Sequence, residues 1–200
     1  MTENNVEQAH IGQLFEMVRN SSASSMKYLI KASDNELITR DLTDTEDLSY
    51  DHWICCIVVK FSGLSVIFSV HFTSRIARQL AGIGTGVNMD ELSPKVTHDF
   101  MREFCNLTAG TIKDKLQKCN FENPDTTATM LPTQQPSFDT AKLGRTDSQW
   151  LTNWFLCHKG QDALICSGKI DVENAQVLSK LSKINDPTIL IDDSGEIDFL

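Results

Sequence analysis

No apolar run in these 200 residues is long enough to cross a bilayer: the longest, Ile54–Val59, is far short of the ~20 residues that a spanning helix needs. The opening residues, Met1 to Glu7, have neither the basic start nor the apolar centre of a secretion signal, so the expectation is a cytoplasmic chain with no membrane partner. Basic residues are scarce too, 18 Lys and Arg against 27 Asp and Glu. A general binder of the phosphate backbone needs a basic footprint, so nucleic acid is not expected as a partner. The acidity is local: residues 34–51 and 186–200 carry −11 between them against −9 for the whole chain, which leaves the remainder near neutral at +2. Those stretches read as a solvated loop and a tail rather than as a binding field. Disulfide and metal patterns are missing as well. None of the six cysteines forms a Cys-x-x-Cys, and four lie in apolar runs, as reduced, mostly buried thiols would. The five histidines (His10, His52, His71, His98, His158) have no i, i+4 pair and no cysteine cluster nearby, so no metal site is expected.

What remains is an ordinary globular composition, 40% apolar with a mean hydropathy of −0.22. Its length suits one domain, taken as residues 1–185 with the acidic tail 186–200 behind it. Helical periodicity predicts a helix over residues 3–20, broken by the serine run 21–25, with short strands over 26–32 and 36–42. Residues 53–61 and 64–72, rich in Val, Ile, Phe and Trp, flank Ser62-Gly63 and predict a hairpin. A short helix over 74–81 follows, capped by Thr73 or Ser74. Gly82, Gly84 and Gly86 do not match a phosphate-binding loop, because they follow a helix and lack the Gly-Lys-Ser/Thr ending. They read as a helix stop and loop. Ser93 and Pro94 then start a long helix to about Cys119. Beyond it come a short strand over 127–131, a second hairpin over 149–158 and 163–172, and a final short helix over 173–182. Trp53 precedes Gly63 by ten residues and Trp150 precedes Gly160 by ten, a spacing that points to duplication of two halves, about 1–88 and 89–185. The fold class expected is α+β: a largely antiparallel sheet with two long helices on one face.

The informative helix is the one after Pro94. At ~100° per residue, Asp99, Glu103, Asn106 and Gly110 fall in one narrow wedge, opposite Phe100, Met101, Phe104, Cys105, Leu107, Ala109, Ile112 and Leu116. Asn and Gly are poor choices for an ordinary wet face, since Gly lowers helix stability by ~1 kcal/mol relative to Ala. On periodicity alone, Gly110 either leaves a gap that another protein's backbone approaches or makes room for a neighbouring element of this chain.

The segment resembles the helix motif of the CheC/CheX/FliY chemotaxis phosphatases, Asp or Ser, three residues, Glu, two residues, Asn, which reads here Asp99-x3-Glu103-x2-Asn106 and continues into Ala109-Gly110. Two features depart from the family pattern. Its proline stands about two dozen residues after the Asn, whereas Pro124 is too early and Pro132 a few residues late. CheC proteins repeat the motif on the first helix, but here that helix reads Gln13-x2-Glu16-x2-Arg19, with Arg19 where the Asn is required. A single site is more similar to CheX than to CheC.

The resemblance implies a CheC-like fold, a homodimer, and removal of the phosphoryl group from the aspartyl-phosphate of a CheY-type response-regulator receiver domain. It implies no cofactor of the chain's own, since the receiver brings its own Mg2+. An acyl phosphate is already reactive and is helped chiefly by a water held in line with the leaving carboxylate. The amide of Asn106 suits that task because it both donates and accepts without adding charge. Glu103 is implied to pair with the receiver's active-site Lys. Asp99, more remote, is expected to support Glu103 or to cap an entry, or to take a structural role, and with Gly110 it belongs to the partner-binding face. The alternative is a non-catalytic adaptor of the same fold that binds a signalling partner through the 99–110 helix.

Overall fold

The computed structural model describes residues 3–42, 52–127, 129–135 and 149–183. The acidic residues 43–51 and the tail 186–200 lie outside the described residues. In chain order the elements are helix α1 (Glu3–Ile30), strands β1 (Leu37–Asp41), β2 (His52–Phe61) and β3 (Leu64–Phe72), helix α2 (Ser74–Thr85), helix α3 (Pro94–Lys118), and strands β4 (Asp125–Thr126), β5 (Thr133–Gln135), β6 (Gln149–His158) and β7 (Gln161–Val172). A 3₁₀ helix, Ala175–Lys183, closes the described chain.

All pairings are antiparallel and join one sheet in the order β1-β6-β7-β3-β2-β4, with β5 also on β2. This order is symmetric about the β7–β3 junction. Each hairpin meets the other there, and each carries on its outer strand the edge segment of the opposite half: β1 lies on β6, and β4 with β5 on β2. The equal Trp-to-Gly spacing marks the two hairpins, whose turns both place a glycine at positive φ, Gly63 at 82° and Gly160 at 76°. Both edges are short, five residues on one side and two plus three on the other, which leaves little free backbone for another chain to extend.

Strand alternation builds the core on one face. Leu64, Val66, Phe68, Val70 and Phe72 of β3 are buried there beneath α1 and α3, beside Cys55, Ile57, Val59 and Phe61 of β2. Phe68 meets Phe104 edge-on at 5.6 Å and lies 6.3 Å from Trp154, tying α3 to both hairpins.

Three local expectations are corrected. The serine run does not break α1, which continues to Ile30. The Ser21 hydroxyl donates to the Met17 carbonyl at 2.7 Å, that of Ser22 to the Arg19 carbonyl at 2.7 Å, and Trp154 Nε1 donates to Ser22 Oγ at 3.2 Å, so the hydroxyls are satisfied inside the helix–sheet contact. Residues 26–30 are therefore helix rather than strand, and Met26 and Ile30 are core. Gly82 and Gly84 lie within α2, and only Gly86, at φ 72°, ends it. A Cβ on Gly84 would stand 2.7 Å from the Leu29 carbonyl oxygen and 2.8 Å from Phe100, so that glycine lets α2 pack closely on its neighbours. Residues 127 and 129–131 are not a regular strand, and residue 128 lies outside the described residues. Where the hairpin, the Thr73 cap of α2 and the Ser93 cap of α3 were expected, the structure has them.

Candidate functional site

Ser93 starts α3 by accepting the Val96 amide at 3.3 Å, and Pro94 fills the first turn, where no amide is needed. From there the apolar arc, Met101, Phe104, Cys105, Ala109, Ile112 and Leu116, is fully buried, and this fixes the rotation of the helix. Glu103 and Asn106 are left exposed on the opposite side. Only then do their side chains meet: Asn106 Nδ2 donates to Glu103 Oε2 at 3.4 Å. Asp99 sits one turn earlier and pairs with Arg102 at 3.3 Å rather than with Glu103. Capping belongs to Ser93, so Asp99 does not cap the helix.

Gly110, one turn beyond Asn106, separates the two readings that periodicity left open. A Cβ there meets no heavy atom within 4 Å, whereas one on Gly84 would collide. Gly110 makes room for nothing in the described chain, and among the described residues the space above it is open.

Reading along the helix misses one member of the site. Thr129, buried at 7% exposure, donates its hydroxyl to Asn106 Oδ1. Its segment is held against β2 on both sides: Thr127 N–H donates to the Val58 carbonyl at 3.0 Å, and Met130 N–H to the Cys56 carbonyl at 3.0 Å. The Thr127 hydroxyl accepts the Val58 amide at 3.1 Å, which replaces a regular ladder bond and leaves the segment irregular. Thr129 follows Asn106 by 23 residues, about the interval at which the family pattern has its proline, and that interval is the one signal in the sequence that points to it. Met130 and Leu131 lie beside it, exposed by 55% and 71%.

The position on α1 that answers to Asn106 is used differently. Arg19 pairs with Glu16 at 3.6 Å and with Asp41 of β1, and its guanidinium carbon lies 5.9 Å from the centre of the Trp154 ring. It pins an edge strand and offers no neutral amide to solvent.

Cys105 faces the core, where burial pushes its thiol well above the usual range, and it therefore stays protonated. Among the described residues no group of His, Cys, Asp and Glu is arranged to hold a metal, and no helix is long and apolar enough to cross a membrane. The structure joins none of the six cysteines in a disulfide.

A Ser–His pair that spacing did not reveal lies on the other face of the sheet. His71 Nε2 is 3.0 Å from Ser167 Oγ, and His71 Nδ1 is 3.2 Å from His52 Nε2. The three residues are 8%, 8% and 2% exposed, and burial, then the neighbouring His52, pushes the His71 pKa down to about 3, so His71 is neutral within a buried polar chain on the face away from α3.

No protein-family model matches the chain, and no curated protein matches it significantly. Solved structures do. A CheC-like superfamily protein from Shewanella sp. PV-4 superposes with a TM-score of 0.59 at 13% identity, over 81% of this chain and 98% of that one. The chain has the CheC-like fold. CheX from Vibrio vulnificus shares it at a TM-score of 0.56 and 12% identity, over 79% and 95% of the two chains. A third match, at a TM-score of 0.50 and 12% identity over 80% and 97%, comes from a CheX–CheY–BeF3–Mg2+ complex of Borrelia burgdorferi. At such identities the shared property is the CheC-like fold itself.

Proposed function

We propose that this chain is a single-site, CheX-like member of the CheC/CheX/FliY family, which removes the phosphoryl group from the aspartyl-phosphate of a CheY-type receiver. The observation that carries the reading is the Glu103–Asn106 pair, solvent-exposed on a rigid helix and followed by open space at Gly110. The CheX–CheY complex among the structural neighbours supports a receiver as the partner.

In this mechanism the water oxygen bonds to phosphorus as the bond to the aspartyl oxygen breaks. The aspartate departs as a carboxylate and needs no acid, and the water's proton passes to solvent and phosphate. Asn106 holds the water in line, where a carboxylate would repel the phosphoryl group. Glu103 takes the receiver's active-site Lys, which fixes register and draws that Lys away from the phosphoryl oxygens. Mg2+ belongs to the receiver.

The test is phosphate release from a panel of phosphorylated receivers with and without the protein. Acceleration with at least one receiver supports the proposal. Binding without acceleration would make the chain a non-catalytic adaptor, and neither binding nor acceleration would remove receivers as its partners.

A further inference from the structure

We infer that Thr129 is a positioning residue that, together with the acceptor that takes the NH2 group, holds the Asn106 amide in one orientation. This rests on the proposed phosphatase reading for its catalytic consequence, though not for the contact itself. The free amide of an exposed Asn turns readily about its last torsion, exchanging its oxygen for its NH2 group, and only one of the two orientations presents an acceptor to the attacking water. Two neighbours hold it here. Glu103, an acceptor when ionised, requires the NH2 group on its side, and the Thr129 hydroxyl donates to the oxygen on the other.

The two restraints are not equivalent once a receiver binds. A Lys arriving at Glu103 competes for the carboxylate, and the 3.4 Å contact from Nδ2 is the weaker hold. Nδ2 is then released toward the phosphoryl oxygens. Thr129 stays engaged, because it is buried and its segment is bonded to β2 at residues 127 and 130. One lone pair of Oδ1 accepts from Thr129 and the second remains for the water.

The placement follows from the architecture. In the first half, Arg19 of α1 bonds Asp41 of β1, 22 residues later; in the second, Asn106 of α3 bonds Thr129 between β4 and β5, 23 residues later. Both halves use the same helix-to-edge contact, once for an ion pair and once to orient an amide.

Thr129→Val removes the donor at nearly constant shape, and Thr129→Ser keeps it. The full chain is assayed with a CheY-type receiver held phosphorylated by acetyl phosphate and Mg2+. Thr129→Val is expected to lower kcat on the order of tenfold with KM for the receiver within about twofold, and Thr129→Ser to recover most of kcat. The Asn106 side-chain NH2 resonances, followed without receiver, should shift and broaden in Thr129→Val and stay in place in Thr129→Ser. Unmoved resonances in the Val variant, or a Ser variant as slow as the Val variant, overturn the inference. If the unmodified protein accelerates no receiver, the phosphatase reading fails, and the orientation of Asn106 is decided by the resonances alone.

Discussion

Gly110 offers the sharpest division between a partner-facing helix and an ordinary one. Because a Cβ at this position meets nothing within 4 Å, Gly110→Ala adds a methyl without a clash and gains the full difference in helix propensity, ~1 kcal/mol. For a chain of this size that corresponds to a Tm higher by about 2–4 °C. Gly110→Lys gains slightly less, since Lys is a marginally weaker helix former. Its side chain leans toward the helix N-terminus and so lies over Asn106, one turn back. A receiver that must bring its phosphorylated loop down to that amide meets the added chain, and binding should weaken by at least about tenfold, ~1.4 kcal/mol. Thermal melts beside phosphate-release assays read both effects. A Gly110→Lys protein that melts below the unmodified one would show that the gap serves packing, and one that is stable with normal release would remove Gly110 from the site.

Asn106→Ala should lower kcat by about 10²–10³ while the receiver's Kd stays within about threefold, because the amide acts on water in the transition state. Near-normal turnover would dispose of the mechanism. Glu103→Gln should weaken association and flatten its salt dependence, measured by titration at several ionic strengths; an unchanged slope counts against the ion pair with the receiver. His71 predicts an acid limb in stability: its pKa is lowered from 6.5 to about 3 in the fold, so its contribution is complete above the unfolded value and is lost as pH falls below it. At pH 4.5 the loss is about 3 kcal/mol, and His71→Gln should flatten that part of a denaturant-midpoint profile. Phe104→Ala, which empties the fully buried ring site between α3 and Phe68, should cost about 3–5 kcal/mol by chemical denaturation with no direct effect on Asn106.

Elements whose signals are local were legible in the sequence. Ser93-Pro94 declares the start of α3 through a cap and a missing amide, and Ser62-Gly63 between two β-branched runs declares a hairpin. Signals that depend on distant partners misled. Ser21 and Ser22 look like breakers until Trp154, more than a hundred residues away, and their own helix carbonyls satisfy them. Gly84 looks like a loop residue until α1 and α3, which it allows α2 to approach, are in place. The Ser167–His71 contact crosses two strands diagonally, since His71 stands opposite Ile165 and Ser69 opposite Ser167, and no spacing along the chain encodes it.

The site divides along the same line. Glu103 and Asn106 are legible because one helix sets their spacing, and the apolar arc beneath them turns both outward. Thr129 is not, because what brings it to Asn106 is the exchange of edge segments between the halves: β4 and β5 leave their own hairpin and lie along β2, and the segment between them reaches Asn106 of α3. The first half makes the same exchange with β1 along β6, where Arg19 and Asp41 occupy the corresponding contact. The symmetric strand order thus offers two equivalent places for a helix residue to be held from the sheet edge. Charge separates them: a guanidinium locked to a carboxylate over Trp154 is spent on joining elements, whereas a neutral amide held at one end keeps its other lone pair and its NH2 group, the two groups that the proposed reaction needs for the water and the phosphoryl oxygens.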